Sequence, residues 1–240
     1  MERDALFEAV QKIVADQGYL AATEFVTNLG DEGEVVNGFF GLVMDYHHKA
    51  KATERVVHFG LAGIQYCLTR AAHHAGADDD RAAELTFKAK QMATNCASFT
   101  WPGWDEPGVT ITPDQMRIGL DAGRFSVKLI HDLKRDDASL AFTLWFYGAQ
   151  LMAHERYDEA IAVFGEAQEL AAKTDGQADG AAMNAGYVGM AMALDQQSAE
   201  GESRFTAAIS ELERIDTEDS RFYAQQLREV RAVFEKRKTD

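Results

Sequence analysis

"LWFYGAQLMAHERYDEAIAVFGEAQELA", residues 144–171, is the stretch whose reading decides the fold. Its small and apolar residues Leu144, Gly148 and Leu151, then Ala160, Phe164 and Ala167, recur every three or four positions. That spacing puts each set on one face of a helix, so the stretch reads as two helices meeting across a short break. The pattern then returns. Gly148, Ala160, Phe164 and Ala167 share all their internal offsets with Gly189, Gly201, Phe205 and Ala208, 41 residues further on. The residue types have a physical reason. A small residue in each helix lets two backbones approach, the Phe fills the gap beside that contact, and the last Ala admits the next hairpin.

Outward from this pair, alanine-rich amphipathic runs fill the chain. The spacing predicts helices over 3–16, 20–29, 33–50, 54–75, 80–98, 113–134, 137–153, 157–173, 179–195, 199–214 and 218–237. The separators are short: "DQGY", "LGDEG", "GADDD", "KRDD", "KTDGQ", "DQQS" and "IDTED". Short connectors between helices imply antiparallel hairpins. No strand-like alternation survives between them.

The segment 144–171 resembles the tetratricopeptide repeat, a helix-turn-helix unit with a small residue in its first helix and Ala-x3-Phe-x2-Ala in its second. Leu144, Tyr147, Gly148, Leu151, Tyr157, Ala160, Phe164 and Ala167 carry the likeness, which covers 137–174 best and extends over 179–215. The offset of 41 residues departs from the usual period of about 34. The resemblance implies one all-α domain over 1–240, a right-handed α-solenoid of about five antiparallel hairpins. Helix 217–238 remains as a C-terminal cap, with Phe222, Leu227, Val230 and Phe234 read as its apolar stripe. It also implies work of a kind: non-catalytic recognition of a protein or peptide segment, or of a second copy, on a concave face. Carried onto this chain, that face holds Phe142, Trp145 and Met152, then Met183 and Met190. It lacks the Lys, Arg and Asn set with which chaperone-binding members clamp a carboxylate. Helix 137–153 is apolar nearly all round, so either neighbouring helices cover it or a partner does.

One stretch breaks the pattern. "CASFTWPGWDEPGVTIT", 96–112, holds Trp101, Trp104, Pro102 and Pro107, and the only other proline follows at Pro113. Thr112, Pro113 and Gln115 read as a helix start with N-cap, first-turn proline and capping-box glutamine. The segment 99–112 is therefore an expanded turn within the hairpin 80–134. Its two indoles are too large to leave in water. Either they seal the helices 80–98 and 113–134 or the neighbouring hairpin, or they wall a binding site with Asp105 and Glu106 at its mouth.

The totals exclude several classes. With 24 Lys plus Arg against 39 Asp plus Glu the net charge is −15, which repels nucleic-acid backbones and anionic lipid. No run approaches the apolar length of a membrane span. Cys67 and Cys96 stand far apart and outside any CxxC, so they read as core thiols in a reducing, cytoplasmic setting. "MERDALFEAV" lacks the basic start and apolar run of a secretory signal. The alternative to a scaffold is a helical-bundle metal enzyme, because Asp45 and His48 at i, i+3 and Glu54 and His58 at i, i+4 flank one turn. The commoner meaning of that spacing is solvated histidines and a salt bridge. No standard catalytic signature is present and no cofactor is implied.

Overall fold

The computed structural model describes residues 1–196 and 198–239. Gln197, inside the expected separator "DQQS", and Asp240 lie outside the described residues. Among the described residues there are eleven α-helices and no strand. They are α1 (Arg3–Gln17), α2 (Tyr19–Thr27), α3 (Glu32–His48), α4 (Thr53–His74), α5 (Asp79–Phe99), α6 (Pro113–Asp132), α7 (Asp137–Ala153), α8 (Tyr157–Ala172), α9 (Ala178–Gln196), α10 (Ala199–Ile215) and α11 (Glu218–Thr239). A single 3-10 turn, Pro102–Trp104, interrupts the connection between α5 and α6. Every expected helix is present, its ends within two residues of those read from the sequence.

At α3, α5, α6, α7, α10 and α11 the start is fixed by a side chain that accepts from an otherwise orphaned backbone N–H group. Asp31 accepts from Glu34 N at 2.9 Å while Glu34 accepts from Asp31 N at 3.3 Å, a reciprocal box. The expected pair Thr112 and Gln115 does the same at 3.3 and 2.8 Å. Between α1 and α2 the chain turns through Gly18 at φ +86°, a region that glycine enters without a Cβ penalty.

By its internal packing the chain splits into two compact units. Unit 1 comprises Met1–Thr100 and Gly108–Leu129, and unit 2 comprises Trp101–Pro107 and the chain from Ile130 onward. In unit 1, α1 packs on α2, α3 on α4 and α4 on α5, and in unit 2, α7 packs on α8, α8 on α9 and α9 on α10, whereas α5 and α6, expected as one hairpin, make no comparably extensive contact.

In unit 1 α4 crosses α5 closely. A Cβ added to Gly60 would overlap Cys96 Sγ, and one on Gly63 would overlap Met92 Sδ. Glycine at both places lets the helices approach, and Phe39, Tyr46, Phe59, Leu85 and Met92 fill the core around them. Two charge clusters tie the helix ends. Asp45, buried on α3, accepts from Arg3 Nε at 2.9 Å and Nη2 at 2.8 Å, and Lys49 stands 3.1 Å away. Glu32 accepts from Arg70 at 2.6 Å, Arg81 at 2.8 Å and the His74 ring at 3.1 Å. Burial alone would push the Glu32 carboxyl up, but these three partners outweigh it and hold it at about 2.

Unit 2 shows what the repeated spacing does. In α7–α8, a Cβ on Gly148 would stand 2.7 Å from the Phe164 ring, so that ring lies directly on the glycine. In α9–α10, Gly189 and Gly201 bring backbone onto backbone: a Cβ on either would stand 2.9 Å from the other's carbonyl oxygen. Phe164 is fully buried and stacks on Tyr187 of α9 at 5.0 Å. Phe205, its counterpart, is half-buried under the Arg231 guanidinium of α11, 5.4 Å above the ring. α11 covers α9 and α10 with Ala224, Leu227, Val230 and Phe234. Phe222, expected in that stripe, is instead 58% exposed. It stands five residues before Leu227, which turns it about 140° away from the covered face.

Candidate functional site

The proline–tryptophan stretch forms a built corner of unit 2. Trp101 is 1% exposed. Its ring centroid lies 4.9 Å from Trp104, 6.0 Å from Trp145, 6.4 Å from Tyr187 and 6.2 Å from Phe234, with three of the four pairs tilted or edge-on beyond 50°. Edge-to-face arrangements of this kind suit aromatic quadrupoles. Of the two structural placements open in the sequence, the rings therefore take the one on the neighbouring hairpin, with α9 and α11 added.

Local backbone explains how Trp101 is held. Pro102 starts the 3-10 turn, which closes with Asp105 N donating to Pro102 O at 3.2 Å. Asp105 then sits at φ +42° and Gly108 at +81°, both in the left-handed region. Gly103 is required for another reason: a Cβ there would run into the Trp101 indole, so the turn is pressed flat on its own ring. Trp101 Nε1 is buried with no hydrogen-bond partner among the described residues. Such a donor costs about 1–3 kcal/mol, which the large apolar area of the buried indole offsets.

Beside this corner runs a groove of about 540 Å3. Gly103, Trp104 and Asp105 form one wall, and α11 forms the other through Phe222, Gln226, Glu229, Val230, Val233 and Lys236. Two aromatic side chains thus face an apolar valine floor, and Asp105, Glu229 and Lys236 mark the edges. Gln226 is committed below, donating to Tyr187 Oη at 2.7 Å. Burial raises the Tyr187 phenol well above its ordinary value. Nothing in the sequence reading pointed to Gln226 or Lys236. Phe222 did leave a signal, its misfit to the cap stripe.

The remaining expected contact residues divide by exposure. Trp145, Met152, Met183 and Met190 are buried. Phe142 is 56% exposed and meets Phe146 edge-on at 5.1 Å. Neighbouring helices and the aromatic loop cover much of α7, which accounts for its apolar character on nearly every side.

Asp45, His48, Glu54 and His58 are each engaged elsewhere. Asp45 spends both oxygens on Arg3. The His48 ring packs edge-on against His47 at 4.6 Å and Phe99 at 5.6 Å. His58 Nε2 lies 2.8 Å from Thr23 Oγ1, and its ring is 4.5 Å from Tyr19. Glu54 acts on the Tyr19 phenol, which burial and this carboxylate raise. Among the described residues no group of three or more His, Cys, Asp or Glu is arranged to hold a metal ion. Cys67 and Cys96 are buried free thiols, both pushed up to about 12 by burial. No described helix is long and apolar enough to cross a membrane.

Neither a protein-family model nor a curated protein matches the chain. What the groove takes must be read from its own side chains. Aromatic walls over an apolar floor, open along one side and edged by both signs of charge, suit an extended or helical segment with apolar side chains.

Proposed function

We propose that the chain is a non-catalytic interaction module that holds a protein or peptide segment, built as a tetratricopeptide-like, right-handed solenoid of five hairpins capped by α11. The reading is supported by sequential helix packing and by the matched glycine crossings of α7–α8 and α9–α10. The observation that carries it is the loop groove, in which Trp104 and exposed Phe222 wall an apolar floor. Long loops ordered on a rigid helical scaffold are where function concentrates. Trp104, Phe222 and, on α7, Phe142 make the contact. Trp101, Trp145, Met152, Met183 and Met190 support it from beneath. The partner is a protein rather than nucleic acid or membrane, since the net charge is −15. A second copy of the chain remains one form of that partner. Two buried free thiols suit a reducing cytoplasm.

The test is affinity capture from native lysate with the parent protein and with two variants, Trp104→Ala and Phe222→Glu, each shown by thermal melting to be folded. A protein held by the parent and released by both variants supports the proposal. Recovery of the same proteins by all three contradicts it. Gel filtration of the parent alone shows whether the captured partner is a second copy.

A further inference from the structure

The loop groove of unit 2 offers a partner mostly acceptors. Asp105 reaches it from the loop and Glu229 from α11, one on each wall. Among the described residues neither meets a cation: the Asp105 carboxylate has no hydrogen bond or ion pair, and Glu229 accepts from the uncharged Gln225 amide at 2.7 Å. Gln226 adds a third acceptor from the floor. It is 5% exposed, its amide nitrogen is spent on Tyr187 Oη, and its amide oxygen has no partner, so the oxygen is the polar atom that Gln226 has left for the groove. An amide oxygen without a donor in so buried a residue costs free energy that an incoming N–H recovers. Lys236, the cation of the lining, stands about 10 Å further along α11 than Glu229 and is itself partnered.

The walls suit the same visitor. Aromatic rings attract a cation, and Trp104 and the exposed Phe222 both border the space that the three acceptors border. At longer range a chain of net charge −15 draws in a basic partner and repels a second copy of itself. Arginine meets these groups better than lysine. A guanidinium is planar and weakly hydrated and carries five N–H donors, so it can lie on a ring and still serve several acceptors, whereas an ammonium is a compact, strongly hydrated charge. The loop holds its share of the site ready. Asp105 N donates to Pro102 O at 3.2 Å, which fixes the carboxylate next to Trp104 on a closed turn before any partner arrives.

We infer that the loop groove selects an arginine of another protein, whose guanidinium lies against the Trp104 and Phe222 rings and donates to Asp105, Glu229 and the Gln226 amide oxygen. This rests on the reading of the groove as an interaction site and adds which side chain that site takes.

The probe is N-acetyl-arginine methylamide, with its citrulline, lysine and leucine counterparts, titrated at low ionic strength into the 15N-labelled protein and followed on the Trp104 indole signal. The arginine compound is expected to shift that signal saturably, with a Kd of about 1 mM for a ligand of its size. The citrulline compound keeps the shape of arginine without its charge and should bind about fivefold more weakly, as loss of a groove ion pair implies. Asp105→Asn and Glu229→Gln should each weaken the arginine compound by about two- to fivefold. Asp175→Asn, which removes one charge in the α8–α9 connection, should not. Thermal melting of each variant separates lost binding from lost folding. The inference is overturned if the arginine compound gives no saturable shift, if the citrulline, lysine or leucine compound binds as tightly, or if Asp105→Asn and Glu229→Gln both bind arginine like the parent. A parent that still captures a protein released by Trp104→Ala would then keep its interaction site and lose only the arginine. Sedimentation that finds a parent dimer dispersed by Asp105→Asn overturns the inference as well, because the arginine would belong to a second copy.

Discussion

The two units bury different groups: unit 1 carries ion pairs on largely buried carboxylates, and unit 2 carries its own on exposed ones. Unit 1 ties its helix ends with carboxylates held among cations: Asp45 with Arg3 and Lys49, and Glu32 with Arg70, Arg81 and His74. Unit 2 gathers its aromatic rings at one corner, Trp101, Trp145, Tyr187 and Phe234 with Phe164 stacked beneath Tyr187, and its ion pairs between α10 and α11 use exposed carboxylates, Glu202 and Glu213. Ion pairs respond to pH and salt, whereas packed rings respond to volume. The same helical hairpin is therefore expected to fail under different stresses in the two halves of the chain.

The largest effect should come from the ring corner. Trp101→Ala removes a fully buried indole and is expected to destabilise unit 2 by ~3–5 kcal/mol, read by urea denaturation. Hydrogen exchange should show the loss in α7, α9 and α11 while unit 1 keeps its protection. Equal loss in both units would erase the contrast.

Next comes the repeated crossing. Gly189→Ala places a Cβ against the backbone of Phe205, which cannot rotate away, and the expected cost is about 1–3 kcal/mol or more. Gly148→Ala meets only the Phe164 ring and should cost less, because a ring can tilt where a backbone must move. A reversed order of melting temperatures would contradict the difference between a ring packed on glycine in α7–α8 and backbone packed on backbone in α9–α10.

Acid should separate the units without any mutation. Burial, with the His48 and Lys51 charges, depresses the His47 imidazole to about 4 from 6.5, so the unfolded chain takes up that proton first as pH falls. Its contribution to stability is complete above pH 6.5 and lost towards pH 4. Glu32, at about 2 against 4.5, contributes fully above pH 4.5 and loses that contribution as pH falls towards 2. Unit 1 should thus melt earlier with each step below pH 6.5. The corresponding buried group of unit 2 is Tyr187, raised above 10.0, whose contribution is present below that pH and lost above it. Exchange-resolved melting at pH 7 and pH 4 checks the difference, and uniform acid softening of both units would refute it.

The smallest effect lies at the surface. Phe222→Ser should change stability by no more than about 0.5 kcal/mol, since the ring is 58% exposed. A large loss of stability would return Phe222 to the cap stripe.

Much of this architecture is legible in the chain itself because helix-making information is local. The eleven helices, the Thr112–Gln115 box and the glycine–phenylalanine offsets all follow from residues within a few turns of one another. The clasps on Asp45 and Glu32 are not legible in that way. Arg3 is 42 positions from Asp45, and Arg70 and Arg81 are 38 and 49 from Glu32, so only tertiary packing joins them. The local spacing that grouped Asp45 with His48 was silent about Arg3. The candidate site was half visible. Proline and tryptophan marked an ordered loop, but not which helices would receive it, and of the two ways left open for covering the concave-face methionines, by neighbouring helices or by a partner, burial within unit 2 matches the first.

Trp101 is locked inside unit 2, so that Trp104 is presented as a wall rather than carried on a tether. The three indole N–H groups give three resolvable signals in a 15N-correlated proton spectrum, assigned by single Trp→Phe changes. After transfer to D2O the Trp101 signal is expected to persist, because Nε1 is buried beneath its own turn and the rings of α7, α9 and α11. A Trp101 indole that exchanges as fast as free tryptophan would contradict it.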